Sequence, residues 1–295
     1  MTATTLIRIR HVTRYTYAEP VTFQPHRLVL RPREGHDLRV EEMTLATTPA
    51  SHIVWSRDVF GNVIAHAHFV EPASELEIHS EVLVRRFLDD ASAALPKLNV
   101  EAYPLEYDPL EQSVIGAYLA PVFPEEGPAL REWLTKQSSP STFESVEAYV
   151  LHLAAALKAA MQYQRREQKG VQSPAATLAL GSGSCRDQAT LLMEALRQLG
   201  IAARFASGYL DCVATRAARG STHAWTEVYI PRLGWRGFDS ITGDRCGPRH
   251  IVTGTSHHPR GVMPVSGRYS GPPTAYEGMT VVVEIGEEPE TPPAA

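Results

Sequence analysis

The sequence predicts an α+β chain in which an antiparallel β domain precedes a second domain that runs helices first and strands second. Three observations carry this. From Leu6 to about Leu88 the chain alternates in short β-type runs such as LIRIRHVTRYTY, RLVLRP and ELEIHSEVLVRRF, cut by Pro and Gly turns. Pro96, Pro104, Pro109, Pro121 and Pro124 then break any long period. Behind them helical periodicity comes first and strands rich in Tyr, Trp and Val follow. The boundaries read as an N-terminal antiparallel β domain over residues 1–90, an irregular connector over 91–125, a core domain over 126–265, a C-terminal strand region over 266–286 and a flexible tail over 287–295.

Within the first domain, DVFGNVIAHAHF carries Gly61-Asn62 between extended runs, a hairpin signal because both residue types tolerate positive φ. In the core domain Pro128 suits the first position of a short helix through GPALREWLTKQ, and STFE at 141 to 144 has the form of a capping box. The longer helix behind it presents Val146, Tyr149, Val150, Leu153, Leu157 and Met161 as its apolar face. A further helix begins near Cys185, with Ala189, Leu192, Leu196 and Leu199 at spacings of three and four and Gly200 as its stop. ARFASGYL, HAWTEVYI and WRGFD follow as strands, and MTVVVEI is a strand near the end. The last residues, EEPETPPAA, are acidic and proline-rich.

Composition narrows the function classes. The 295 residues are 43% hydrophobic and 21% charged, enough for a large core. Net charge is −5, and Lys and Arg are dispersed rather than clustered, so no nucleic-acid footprint is present. The amino terminus lacks a signal-peptide apolar region and no stretch has the apolar length of a membrane span, which points to a cytoplasmic protein with neither membrane nor nucleic acid as partner. Three cysteines make no disulfide framework and suit a reducing compartment. Oligomeric state is not readable.

The chemistry concentrates at GSGSCRDQATLL, residues 181 to 192. Cys185 opens a helix, where unpaired backbone N–H groups and the positive end of the helix dipole stabilise a thiolate. The small residues before it keep the sulfur approachable. The alternative is an inert buried thiol, the common fate of a free cysteine. A nucleophile needs a base and a group that orients the base. In HAWTEVYIPRLGWRGFD, His223 and Asp239 flank a turn near residue 231, so a hairpin brings imidazole and carboxylate together on adjacent strands. The turn places Asp239 slightly off directly opposite, which calls for a bulge or a diagonal reach.

The run GSGSCRDQATLLMEALRQLGIAARFASGY followed by HAWTEVYIPRLGWRGFD resembles the catalytic core of the transglutaminase-like superfamily, whose fold is papain-like. RHVTRYTYAEPV, LVLRPRE and DVFGN resemble the β domain that precedes this core in many bacterial members. The resemblance implies a papain-like catalytic core over 126–265 with Cys185 as nucleophile, His223 as base and Asp239 as orienting acid. It also implies a second oxyanion donor from an upstream aromatic, and YQRREQKGVQSP places Tyr163 in that relation beside the Cys185 N–H. Two departures stand out: Asp239 is followed by Ser240-Ile241 where family members often read Pro-Thr, and Gly254-Thr255-Ser256-His257 replaces a common Gly-Arg-Asp-Tyr.

The activity this implies is a cysteine protease, amidase or acyltransferase acting on a peptide or protein amide through an acyl-enzyme, hydrolysis being favoured over cross-linking. A non-catalytic binding module that retains the core is the alternative. No cofactor is expected. Cys212 and Cys246 with His223 or the His257-His258 pair lack the paired spacing of zinc ligands, so no metal site is assigned.

Overall fold

The computed structural model describes residues 3–88, 101–166, 168, 170–213 and 219–289. Six strands come first: β1 (Ala3–Phe23), β2 (His26–Leu28), β3 (Leu38–Thr48), β4 (Ser51–Arg57), β5 (Val63–Phe69) and β6 (Ala73–Leu88). Helices α1 (Gln112–Leu119), α2 (Gly127–Thr135) and α3 (Val146–Ala160) follow, then strand β7 (Gln162–Tyr163), helix α4 (Pro174–Leu180), strand β8 (Ser182–Gly183) and helix α5 (Cys185–Gln198). The core sheet comes from β9 (Ala203–Val213), β10 (Arg219–Ile230), β11 (Gly234–Asp239), β12 (Asp244–Arg245) and β13 (His250–Ser256). Strands β14 (Val265–Ser266), β15 (Tyr269–Ser270) and β16 (Tyr276–Glu288) close the chain. Among the described residues no helix is long and apolar enough to cross a membrane.

The fold is α+β, with antiparallel sheets first and a helical and stranded core behind them. Strand β1 is the axis of the first sheet, pairing along its length with β6 on one side and β16 on the other, with β3 beyond β6. A second sheet, ordered β14-β2-β5-β4, encloses Phe23, Leu28, Leu30, Ala65, Ala67 and Ile78 against the first. The core sheet is ordered β12-β11-β10-β9-β13, and its Tyr209 and Ile251 pack on Ile7, Ile9, Val82 and Val84 of the first sheet. An apolar seam therefore joins the two parts.

Several expectations need correction. The connector contains α1, which sits between Pro109 and Pro121 and buries Ile115 and Tyr118 against Ala202; residues 91–100 lie outside the described residues. The capping box expected at Ser141–Glu144 is absent: Pro140–Thr142 forms a 3-10 turn, and Ser145, in extended backbone, caps α3 by accepting the Ala148 N–H at 3.0 Å. Residues 287 and 288, expected in the tail, belong to β16: Glu287 and Glu288 pair with Ile7 and Leu6 and Glu288 meets Arg8 at 2.7 Å; residues 290–295 lie outside the described residues. At the Gly61-Asn62 turn only Gly61 takes positive φ, while Asn62 is buried and bridges Asp58 to the backbone of Thr255.

Helix α5 is enclosed on every side. Its apolar residues behave as the 3.6 period requires, but Asp187, Gln188, Thr190, Glu194 and Arg197 are buried too. Each of these charges has a partner, as burial demands. Arg197 meets Glu194 at 2.9 Å and donates to the carbonyls of Ala203, Ala120 and His257, and Glu194 accepts the N–H groups of Val122 and Phe123. Gly200, at φ 71°, ends the helix: its N–H reaches the Arg197 carbonyl and the Ile201 N–H reaches Leu196.

Candidate active site

Cys185 is the first residue of α5, so its N–H has no intrahelical acceptor, and its side chain is half-buried. Asp187, two residues on and fully buried, holds this helix end together. It accepts the Ser184 N–H at 2.8 Å, the Ser184 hydroxyl at 2.7 Å, the Gln172 N–H at 2.7 Å and the Arg166 guanidinium at 2.7 Å. These bonds tie the segment after β7 down beside the nucleophile position.

His223 and Asp239 meet across the β10–β11 hairpin. Thr226 pairs with Phe238 and Ile230 with Gly234 around a turn in which Arg232 takes φ 65°. That register sets Trp225 opposite Asp239 and makes His223 its diagonal neighbour on the same face, within reach of a long side chain. The reach is observed: His223 Nε2 lies 2.9 Å from Asp239 Oδ2, with both residues buried. His223 stands inside β10 rather than at its start, and across the next ladder it faces Gly208. A Cβ at Gly208 would fall 2.0 Å from the Ile251 carbonyl oxygen and 2.9 Å from the Trp225 ring, so only glycine lets β9 and β13 approach this closely behind the imidazole.

Since Nε2 is engaged by Asp239, Nδ1 is the ring nitrogen left for Cys185, which is among the neighbours that raise the imidazole. Burial alone would push the imidazole down, but the hydrogen bonds to Asp239 and Cys185 and the charges they carry outweigh it and hold His223 well above its ordinary value. Burial would likewise raise Asp239, yet the His223 and His250 hydrogen bonds, the imidazolium charge and the Ile241 N–H hold it well below the usual carboxylate range. The arrangement favours a proton on the imidazole and negative charge on Asp239.

His250, which sequence reasoning missed, completes this cluster from β13. Its Nε2 lies 3.3 Å from Asp239 Oδ2, while Nδ1 accepts the Gly247 N–H at 3.2 Å, which leaves Nε2 as the nitrogen that donates to the carboxylate. Trp225 packs edge-on against it at 5.2 Å. The ligating atoms of His223, Asp239 and His250 lie within 4.8 Å of one another, a spacing two histidines and a carboxylate share with metal centres. The bonds described here already use the three inward atoms on each other, and a metal would need both imidazole N–H groups removed from the carboxylate.

Tyr163 lies in β7, paired in parallel with β8 so that it stands beside Gly183, two residues before Cys185. It is 54% exposed, and burial, then the neighbouring Cys185, pushes its phenol up, so it keeps its O–H donor near neutrality. Cys212 lies 3.6 Å from the Ser221 hydroxyl, and burial pushes the Cys246 thiol up. Neither has a histidine partner among the described contacts.

A fold that sets a helix-terminal cysteine against a histidine and aspartate on paired strands is that of a transglutaminase-like core, and the comparisons agree. Residues 131–240 match the transglutaminase-like superfamily and residues 7–85 match the bacterial transglutaminase-like N-terminal region, so the chain carries both, in that order. An uncharacterized protein of Mycobacterium tuberculosis is 28% identical over 281 residues, covering 88% of this chain and 86% of its own. One from Mycobacterium leprae is 24% identical over 302 residues, covering 95% and 98%. A crystal structure of a Cytophaga hutchinsonii protein provisionally assigned as a cysteine protease has a TM-score of 0.74 at 19% identity, covering 99% of this chain and 94% of that one. At that identity the likeness is one of fold.

Proposed function

We propose that this protein is a thiol enzyme that opens an amide bond of a peptide or protein through an acyl-enzyme on Cys185, and that water ordinarily accepts the acyl group. The observation that carries the reading is the buried His223–Asp239 pair, with His223 held well above its ordinary value by Asp239 and by the neighbouring Cys185 at the start of α5. The Cys185 sulfur attacks the amide carbonyl carbon, forming the S–C bond and moving the carbonyl π pair onto oxygen. The Cys185 N–H, and the Tyr163 hydroxyl from the strand beside Gly183, are assigned as the donors to that oxyanion. Collapse restores the carbonyl and breaks the C–N bond, with the His223 proton passing to the leaving amine. Water then attacks the thioester, gives its proton to His223 and releases the acid and the thiolate. Asp239 holds the ring so that Nδ1 faces sulfur throughout.

Hydrolysis is placed before amine transfer because the Cytophaga protein of this fold carries a protease assignment. Three free cysteines fit the reducing, cytoplasmic setting this reading assumes. The test is amine release from a library of peptide amides and acyl esters, with Cys185→Ala as control. Release that depends on Cys185 supports the proposal, and diversion of the acyl group to added glycinamide in preference to water would make the enzyme a transferase. A library that stays intact, while a known thiol protease cleaves it, would favour a binding module.

A further inference from the structure

At the seam between the first sheet and the core lies a cleft of about 180 Å³ lined mainly by charged residues, among them Arg33, Arg86, Arg204, Glu227 and His250. The charges in it are unevenly matched. Arg204 is neutralised by Glu227 at 2.6 Å and stacks 3.9 Å over the Trp235 ring. Glu34, also on the rim, meets Arg31 at 3.2 Å and accepts the Val40 N–H. The other two guanidinium groups have only neutral acceptors. Arg33 directs Nη1 at the Phe60 carbonyl, Asn62 Oδ1 and Thr255 Oγ1, leaving Nε and Nη2 without a protein acceptor among the described residues. Arg86 is 7% exposed and gives Nη2 to the His250 carbonyl at 2.9 Å, while its Nε is buried with no partner.

A buried guanidinium with an orphaned N–H is costly, and native structures supply such a group with water or an ion. Asp37, on the exposed rim, attracts Arg86 only through its charge. Burial depresses both arginines, and at Arg33 burial and the repulsion of Arg204 outweigh the attraction of Glu227 and Asp58, so an added negative charge beside the unpartnered N–H groups relieves an unfavourable environment. Guanidinium forks match the planar or tetrahedral oxygens of an oxyanion.

We infer that this seam is a binding site for a small oxyanion, a phosphate or a carboxylate, held by Arg33 and Arg86 of the N-terminal region against the core strand β13, which carries His250 and Thr255. The site is separate from the Cys185 thiol. It is one imidazole away from Asp239, because His250 both lines the cleft and donates to that carboxylate. An occupant would bind the two parts of the molecule to each other directly behind the catalytic acid.

The test is calorimetric titration of the full chain with sodium phosphate, with sodium acetate and, at matched ionic strength, with sodium chloride, together with thermal unfolding in each salt. This reads binding alone and is independent of whether the protein turns over any amide. The expected result is saturable one-to-one binding of phosphate or acetate, with a rise in unfolding temperature that chloride does not produce. Whichever of the two binds more tightly names the source of the oxyanion. Arg33→Gln and Arg86→Gln should each weaken it about tenfold or more, the loss of a charged hydrogen-bond donor. Since Arg86→Gln alters a buried strand residue, Val252→Phe serves as a second variant that fills the cleft and leaves both arginines in place. Phosphate and acetate that bind no better than chloride, or folded variants that bind as well as the parent, would overturn the inference.

Discussion

Asp187 and Asp239 are both fully buried and both accept several hydrogen bonds, yet they stand among different donors. Asp187, at the start of α5, is surrounded by two backbone N–H groups, a serine hydroxyl and a guanidinium, none of which changes protonation near neutral pH. Asp239, at the end of β11, accepts from two imidazoles and one backbone N–H. Burial and saturation are the same in both places, so neither identifies a catalytic acid. The titratable partner is what separates them, because a carboxylate against an imidazole can steady a moving proton, the role the proposed mechanism gives Asp239.

Exchanging each carboxylate for an amide breaks the comparison open. Asp239→Asn should lower turnover by about 10⁴-fold through loss of the correct imidazole tautomer, with circular dichroism and chromatographic behaviour preserved. Asp187→Asn should do the reverse, removing about 3 kcal/mol of stability in urea unfolding by leaving Arg166 without its carboxylate, while the folded fraction keeps most of its rate. If the two variants exchange these phenotypes, the division of labour drawn here is wrong.

The pH dependence sharpens the same contrast. His223 is raised in the folded state, to about 10, so its contribution to stability is complete below the unfolded histidine value of about 6.5 and is lost as pH rises toward the folded value. Asp239 is depressed, so its contribution is present above the unfolded value of about 3.9 and is lost as pH falls below it. Stability from this pair should therefore peak between those limits, and urea titrations from pH 3 to 10 should show that both slopes flatten in Asp239→Asn.

Smaller effects come from the outer members. His250→Phe removes one donor from Asp239 and should cost about 1.5 kcal/mol of stability. A variant with unchanged stability would make His250 a bystander. Tyr163→Phe should slow acylation about tenfold, less than the loss of a fully buried oxyanion donor, because this side chain is half in water. An unchanged rate would leave the Cys185 N–H as the donor that matters.

Much of this site was legible from residue order. Cys185 announces itself by small residues before an apolar helical period, and the His223 and Asp239 pair by a turn midway between them, including the diagonal reach that the register bears out. His250 was not legible because β13 joins the sheet through β9, a pairing that no local spacing encodes. Asp187 was passed over because its four donors come from the helix end and from the segment around Arg166 and Gln172, so its role exists only once the chain has folded. The same reason hid the pairing of β16 with β1, whose partners stand at opposite ends of the chain. Helix α5 presents the converse case: its apolar stripe was readable, while no local spacing encodes the buried ion pair of Glu194 and Arg197.

The central claim is that Cys185 forms a covalent acyl intermediate. The direct measurement is to mix the protein with activated acyl esters and glutamine-containing peptides, quench in acid within the turnover time, and map adducts by mass spectrometry. Acylation is expected on the peptide that contains Cys185, none on Cys246, and the adduct should be lost in His223→Ala. Donors that acylate another thiol enzyme but leave Cys185 unmodified, or that modify it equally in His223→Ala, would contradict it.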